Sequence, residues 1–251
     1  MTKSERPPVL ITGAASGVGR ACALRFAKEG FDVVVSFPEF DRLAATETAA
    51  LVSDCSTRAL LAPCDVSSTD QIEKMFDLVA SEFGWLDSVV NCAGVTHFIA
   101  HSDLDQMTEE KWDQILAVNT KGPFFVSRAA VPLLRKGKSG SIVNVSSVAG
   151  VSGAGSCIAY CASKGALNTM TKSLARALAP EILVNSVCPG PIDSDWLRQG
   201  IGEEEMAERV ASFPIPRLAK PEDIADTVYY LSAGTSLSTG QVLIVDGGRT
   251  M

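Results

Sequence analysis

The chain has 251 residues, 46% hydrophobic and 20% charged, with 22 basic against 29 acidic side chains for a net charge of −7. That length and balance suit one large α/β domain spanning 1–251 and leave little room for a second. The acidic surplus disfavours nucleic acid and anionic membranes as partners. No apolar run approaches the roughly 18–20 residues of a membrane span, and the polar start MTKSERPPVLITG lacks a signal-peptide core, so a cytoplasmic location is expected.

Strand and helix patterns alternate along the chain. A short apolar strand is expected at 8–13, then a helix at 19–30 closed by Gly30. The β-branched run 32–37 reads as a strand, 41–55 as a helix, and 58–66 contains a third strand. Residues 69–84 carry Ile72, Met75, Phe76, Val79 and Phe83 at helical spacing. A fourth strand is expected at 86–94, two helices around 108–118 and 120–136, and a fifth strand at 140–147. A long helix follows at 157–179 and a sixth strand at 182–190. The polar, glycine-containing stretch 191–217 reads as a mobile excursion over a substrate site. A helix with proline in its first turn at 221–233 and a seventh strand at 240–248 complete the pattern. Continuous apolar strands alternating with helices imply a parallel sheet covered on both faces.

Between the first strand and first helix lies TGAASGVG, Thr12 to Gly19. Glycines there remove Cβ atoms where a backbone turns sharply and approaches a ligand, and the following helix N-terminus offers N–H groups to a pyrophosphate. Such a turn serves several nucleotide binders and can also be purely structural. NCAG (91–94) and CDV (64–66) close two further strands, at the sheet edge where open α/β folds bind ligands. The seven cysteines (22, 55, 64, 92, 157, 161 and 188) are scattered, and the chain has only two histidines, His97 and His101. The thiols are read as packing groups, and no metal site is expected.

Tyr160 and Lys164 are four apart, on one helical face. An ammonium near a phenol favours the phenolate, which could make Tyr160 a proton donor or acceptor for a carbonyl oxygen. In isolation the pair is better explained by a lysine stem packed on a tyrosine.

The ordered set of motifs resembles the short-chain dehydrogenase/reductase family over nearly the whole chain. It comprises Thr-Gly-x-x-x-Gly-x-Gly at 12–19, Asp65-Val66, Asn91-x-Ala93-Gly94, Asn119, the Ser147/Tyr160/Lys164 set, Pro189-Gly190 and the closing TGQVLIVDGG. The resemblance implies a single-domain, doubly wound Rossmann-like α/β fold with seven parallel strands and helices on both faces. It implies NAD(P)-dependent hydride transfer between the cofactor and a small carbonyl compound or secondary alcohol. Catalytic roles then fall on Ser147, Tyr160 and Lys164, with Asn119 holding a water that links Lys164 to solvent. Ser146 is left structural.

The implied cofactor contacts are Thr12, Gly13, Ser16, Gly17, Val18, Gly19, Ser36, Phe37, Asp65, Val66, Asn91, Ala93, Gly94, Tyr160, Lys164, Pro189, Gly190, Ile192 and Ser194. Ser36-Phe37-Pro38-Glu39 carries neither the aspartate common in NAD-dependent relatives nor an adjacent basic residue. With Arg42 the nearest phosphate partner, the choice between NADP and NAD leans to NADP. Thr96, His97, Phe98, Val148, Ser152, Gly153, Ile158, Pro191, Trp196, Met206 and Phe213 are candidate substrate contacts.

Two further readings stay open. One is a 3-oxoacyl-acyl-carrier-protein reductase, which the acidic surface disfavours because the carrier is itself acidic. The other is a non-catalytic nucleotide-sensing scaffold on the same fold. Apolar residues on the 120–136 helix (Phe124, Phe125, Ala129, Val131) and the 157–179 helix (Ala166, Leu167, Met170, Leu174, Leu178) exceed what one sheet face covers. Family members pack these helices against symmetry mates, and a homotetramer is expected.

Overall fold

The computed structural model describes residues 6–194 and 210–251. Its strands are β1 (Pro8–Thr12), β2 (Asp32–Phe37), β3 (Ala59–Pro63), β4 (Ser88–Asn91), β5 (Gly140–Val145), β6 (Ile182–Pro189) and β7 (Val242–Val245). They form one sheet in the order β3-β2-β1-β4-β5-β6-β7, parallel throughout. The order reverses between β1 and β4, where Thr12 registers with Asn91. In such sheets the crevice beyond that switch point is the natural ligand site.

Alternation along the strands sorts the core into two layers. Val9, Ile11, Val33, Val35, Val90 and Val143 face one side. They pack on α1 (Gly17–Lys28), α2 (Arg42–Asp54) and α8 (Pro221–Ala233). Leu10, Val34, Val89 and Ile142 face the other side with α3 (Thr69–Glu82), α5 (Gly122–Leu134) and part of α7 (Ile158–Leu178). Each fully buried Val or Leu contributes about 1.5–3 kcal/mol, so the central strands are anchored from both faces. The expected seven-stranded doubly wound sheet is what the structure shows.

Two local features depart from the sequence reading. The pair of helices around 108–136 is one continuous run: α4 (Glu109–Leu116), a π-helical turn at Ala117–Lys121, then α5. A one-turn α6 (Ala149–Ser152) follows β5 and ends at Gly153 with φ +71. Both sit at the ligand edge of the sheet.

The surplus apolar surface is also smaller than expected. Leu167 is buried, and Phe125, Ala129, Val131, Leu174 and Leu178 pack against the second core layer of their own chain. Phe124 on α5 and Ile158 on α7 stay exposed, as do Tyr230 on α8 and Leu243 and Ile244 on the edge strand β7.

Candidate active site

The glycine loop is built by steric exclusion. Gly17 has φ +51, a conformation that side chains rarely adopt, with open space where a Cβ would point. Gly19 packs so closely that an added Cβ would lie 2.1 Å from the Gly13 oxygen. Ser16 caps α1 through its backbone alone, and the helix has no acidic residue in its first turn. The N–H groups of that turn therefore have no intrahelical acceptor and no carboxylate to compete with a pyrophosphate. Thr12 ties this loop to β4, its hydroxyl accepting the N–H groups of Cys92 and Ala93 at 3.1 Å each. The Ala14 N–H donates to the Ser36 carbonyl at 3.0 Å. Ser36 Oγ is buried with no hydrogen-bond partner, an orphaned polar atom beside the cradle. The cradle thus fits a dinucleotide.

Several expected contacts are arranged differently from the sequence picture. Phe37 is fully buried in the first core layer, so its ring is not offered to a ligand. The Asn91 amide donates to Asn144 Oδ1 at 2.8 Å and Ser127 Oγ at 3.2 Å, which commits that side chain to the interior. Asp65 is exposed and accepts the N–H and hydroxyl of Ser67, while Val66 is buried. Arg42, over the Phe37 ring, pairs with Glu39 through two hydrogen bonds. Arg20 is already taken by the Ala15 and Ala44 carbonyls, Thr48 and Glu47.

The catalytic candidates converge at the ends of β4, β5 and β6. Ser147 follows β5, and its hydroxyl hydrogen-bonds Tyr160 and accepts the Ala149 N–H at 3.1 Å. Tyr160 lies in the first turn of α7, where it packs with Ile99, Ala149 and Cys157. Lys164 Nζ donates to the Val145 carbonyl at 2.9 Å and lies 5.7 Å from the Tyr160 ring centroid. An added Cβ on Gly94 would sit 3.7 Å from Lys164 Nζ and 3.5 Å from Asn119 Oδ1. The NCAG turn and the catalytic groups therefore share one pocket.

Burial dominates the electrostatics of this pocket. It pushes the Tyr160 phenol up to about 12, only partly offset by the Ser147 hydrogen bond. It also pulls Lys164 down to about 8. Desolvation is the largest influence on the phenol, and the Lys164 ammonium gives its hydrogen bond to the Val145 carbonyl. A tyrosine so placed keeps its proton through the neutral range and suits the role of acid.

Asn119 sits in the π-helical turn, a deformation frequent at functional sites. Its Oδ1 accepts the Val95 N–H at 2.9 Å, and its Nδ2 donates to the Val95 carbonyl at 2.9 Å and Ser163 Oγ at 3.1 Å. This side chain is a clamp between the NCAG turn and α7.

Pro189 ends β6 and its carbonyl accepts the Val148 N–H at 3.0 Å. Gly190 donates to Val245, while Ser194 Oγ donates to the Ile192 carbonyl at 3.3 Å. Ile192, near the start of the 191–217 stretch, bridges Ala219 just beyond its end. Trp196 and Met206 lie outside the described residues. Phe213 packs under the Arg249 guanidinium, Thr96 hydrogen-bonds Ser156, and His97 hydrogen-bonds Gln114. Phe98 and Ile158 are exposed, whereas Val148 is buried. Ser152 donates to the Val148 carbonyl. No cluster of three or more His, Cys, Asp or Glu side chains suited to a metal occurs among the described residues.

Sequence reasoning missed the polar supports: Ser163, Asn168 and Thr171 on α7, Asn144 on β5, and Ser186 and Cys188 on β6. Their signal was available as a polar stripe at 164, 168 and 171, helical spacing on a face that should have been apolar.

The family model described as enoyl-(acyl carrier protein) reductase matches residues 13–250. The chain belongs to the short-chain dehydrogenase/reductase family. A Streptomyces violaceoruber protein named for ketoacyl reduction in granaticin polyketide synthesis is 40% identical over 97% of this chain and 96% of its own. The 3-oxoacyl-acyl-carrier-protein reductase FabG of Thermotoga maritima is 38% identical over 95% of this chain and 96% of its own. A solved Burkholderia xenovorans structure assigned to the same family superposes with TM-score 0.92 at 40% identity, covering 98% of this chain and 99% of that one. This short-chain dehydrogenase/reductase is an oxidoreductase of a family that uses nicotinamide cofactors. No described helix is long and apolar enough to cross a membrane.

Proposed function

We propose that the chain is an NADP(H)-dependent reductase of a small free carbonyl compound, with Tyr160 as the acid. The carrying observation is the hydrogen bond between Ser147 and the buried Tyr160, beside Lys164 at the sheet's ligand edge. The loop 12–19 would hold the pyrophosphate, Lys164 the nicotinamide ribose, and Ile192 and Ser194 the carboxamide. When bound, the nicotinamide supplies the hydride that reaches the carbonyl carbon. Ser147 orients the carbonyl oxygen and stabilises its growing charge. Tyr160 passes its proton to that oxygen, and Lys164 lies close enough to steady the phenolate left behind. Asn119 keeps Val95, and with it the NCAG turn, in place.

The lean to NADP rests on Ser36, which presents no carboxylate to a 2′-phosphate, and on Arg42, which is exposed enough to leave Glu39 for a phosphate. A second substrate reading, a 3-oxoacyl group on a carrier protein, is favoured by the names of the relatives. Against it stand the net charge of −7 and the pairing of Arg135 with Glu181, which removes one cation from the surface near the end of α7. Phe124, Leu243, Ile244 and Tyr230 support assembly into a homotetramer through α5–α7 and α8–β7 contacts.

Fluorescence titration with NADPH and NADH, followed by turnover of ethyl acetoacetate against a carrier-bound 3-oxoacyl thioester, tests these choices. Tighter NADPH binding and faster turnover of the free ketone are expected. Preference for NADH, or turnover only on the carrier, would reverse them.

A further inference from the structure

α7 holds its buried face to the sheet by polar bonds as well as by the apolar packing of Leu167, Leu174, Ala175 and Leu178. Lys164, Asn168 and Thr171 stand at i, i+4 and i+7, one stripe on the helix. Thr171 Oγ1 accepts from Asn144 Nδ2 on β5 at 2.9 Å. Asn168 Oδ1 accepts the Ser186 hydroxyl at 3.2 Å and the Cys188 thiol at 3.4 Å, both from β6. The Cys188 thiol also lies beside the Ser146 hydroxyl and the Ser147 main chain. Ser146 Oγ separately donates to the Lys164 carbonyl at 3.1 Å. All of these side chains are buried.

One member does not satisfy itself. Asn168 Nδ2 is buried without a hydrogen-bond partner. A buried donor left unpaired destabilises a fold, and a leucine here would avoid the cost. What asparagine adds is its Oδ1, which joins the helix to two residues of β6 at once.

We propose that Asn168 and Cys188 are positioning residues that fix the placement of the Tyr160–Lys164 turn against Ser147. Ser147 follows β5, and Tyr160 and Lys164 belong to α7, so their mutual geometry depends on how the helix seats on the sheet. Apolar contacts are non-directional and allow a helix to slide. Hydrogen bonds constrain distance and angle, and a misplacement of about 1 Å at a reacting centre costs on the order of 100-fold in rate. The circuit thus has two arms, Asn168 to Ser186 and Cys188 on β6 and Ser146 to the Lys164 main chain, with the Cys188 thiol beside the Ser147 main chain. The proposal rests on the reductase reading above.

The test uses the full chain with NADPH and ethyl acetoacetate. Wild-type turnover in that assay speaks for the reductase reading; the circuit stands on ratios of variant to wild type. Asn168→Leu should lower kcat about 10-fold or more while KM for NADPH and ketone stays within about 2-fold. It should also move the alkaline limb of the kcat–pH profile, because the Lys164 ammonium changes its distance to its neighbours. The groups facing that ammonium are Tyr160 on α7, Cys92 after β4 and Cys188 on β6.

Cys188→Ala, the milder probe, should lower kcat about 3-fold, and Cys188→Ser, which keeps a donor, should restore it. The triple variant Ser186→Ala/Asn168→Leu/Cys188→Ala replaces the acceptor and both its donors by apolar groups. Its Tm should recover toward wild type while kcat stays low. Recovery of kcat together with Tm, or an unmoved pH limb in Asn168→Leu, would overturn the proposal and leave the circuit as packing. Equal kcat in Cys188→Ala and Cys188→Ser would overturn it as well, and needs only single-atom changes that the fold tolerates.

Discussion

The nucleotide cradle and the catalytic wall meet at the β1–β4 switch but are made by different physics. The cradle is defined by what is missing: side chains at Gly17 and Gly19, a side-chain cap at Ser16, an acidic residue in the first turn of α1. The helix packing behind it is apolar, through Ala21, Cys22, Ala23 and Phe26. The catalytic wall is defined by what is present: buried Ser146, Ser163, Lys164, Asn168 and Thr171, nearly all paired across α7, β5 and β6. A surface that lets backbone amides approach a phosphate needs steric room. A surface that transfers a proton needs fixed donors and acceptors, and a buried polar network supplies them.

The sharpest way to break this comparison is Gly19→Ala. The added methyl collides with the Gly13 backbone, which cannot yield as a side chain would, so the loop must open. Cofactor Kd measured by fluorescence should rise by at least about 100-fold, with the far-UV CD spectrum unchanged because the sheet is anchored elsewhere. Lys164→Met acts on the other side of the junction and should hurt both halves. Turnover should fall at least about 100-fold and cofactor binding several-fold, if one amine serves both ribose and phenol as proposed. In the unaltered enzyme the reduction rate should be flat in the neutral range and fall as pH rises past the Lys164 value of about 8.

A smaller effect is expected from Arg42→Ala, within the cradle but outside its backbone frame. NADPH affinity should drop about 5-fold, roughly 1 kcal/mol, while NADH affinity stays the same, as parallel titrations would show. The smallest effect concerns Asp87, at the start of β4 and far from the ligand edge. Burial raises its carboxyl from the usual 3.8 to about 6, against the opposing pull of the Ser139 N–H and Lys138. The folded state therefore bears a penalty once the carboxylate is charged, above about pH 6. That penalty fades as pH falls toward 3.8. Asp87→Asn keeps an acceptor for Ser139 and should raise Tm by a few degrees at pH 7, with the gain gone near pH 4. A polar group buried away from the site thus weakens the fold without serving catalysis.

The two halves also differed in how far the sequence revealed them. Strand runs such as Asp32–Phe37 carry a β-branched Val33–Val35 core, and glycines 13, 17 and 19 advertise a turn by residue type alone. The cradle and the sheet were legible for that reason. Ser147, Tyr160 and Lys164 stood out through the family resemblance, since their spacing alone fitted simple packing. Their environment was not legible: desolvation depends on what surrounds a group in space, so the raised Tyr160 phenol could not be read from a neighbouring lysine four residues on. Nor could the inward turn of Asn91, the burial of Phe37, or the π-helical turn at Asn119, each of which depends on a partner distant in the chain.

The central claim is that Tyr160 gives its proton to the substrate oxygen, and Tyr160→Phe tests it most directly. The substitution keeps the ring against Ile99 and Cys157 and removes only the hydroxyl that meets Ser147. Steady-state turnover of ethyl acetoacetate with NADPH should fall by at least about 100-fold, while NADPH binding stays within about 2-fold of the unaltered chain. A variant that keeps most of its turnover would contradict the account and move the acid to another residue.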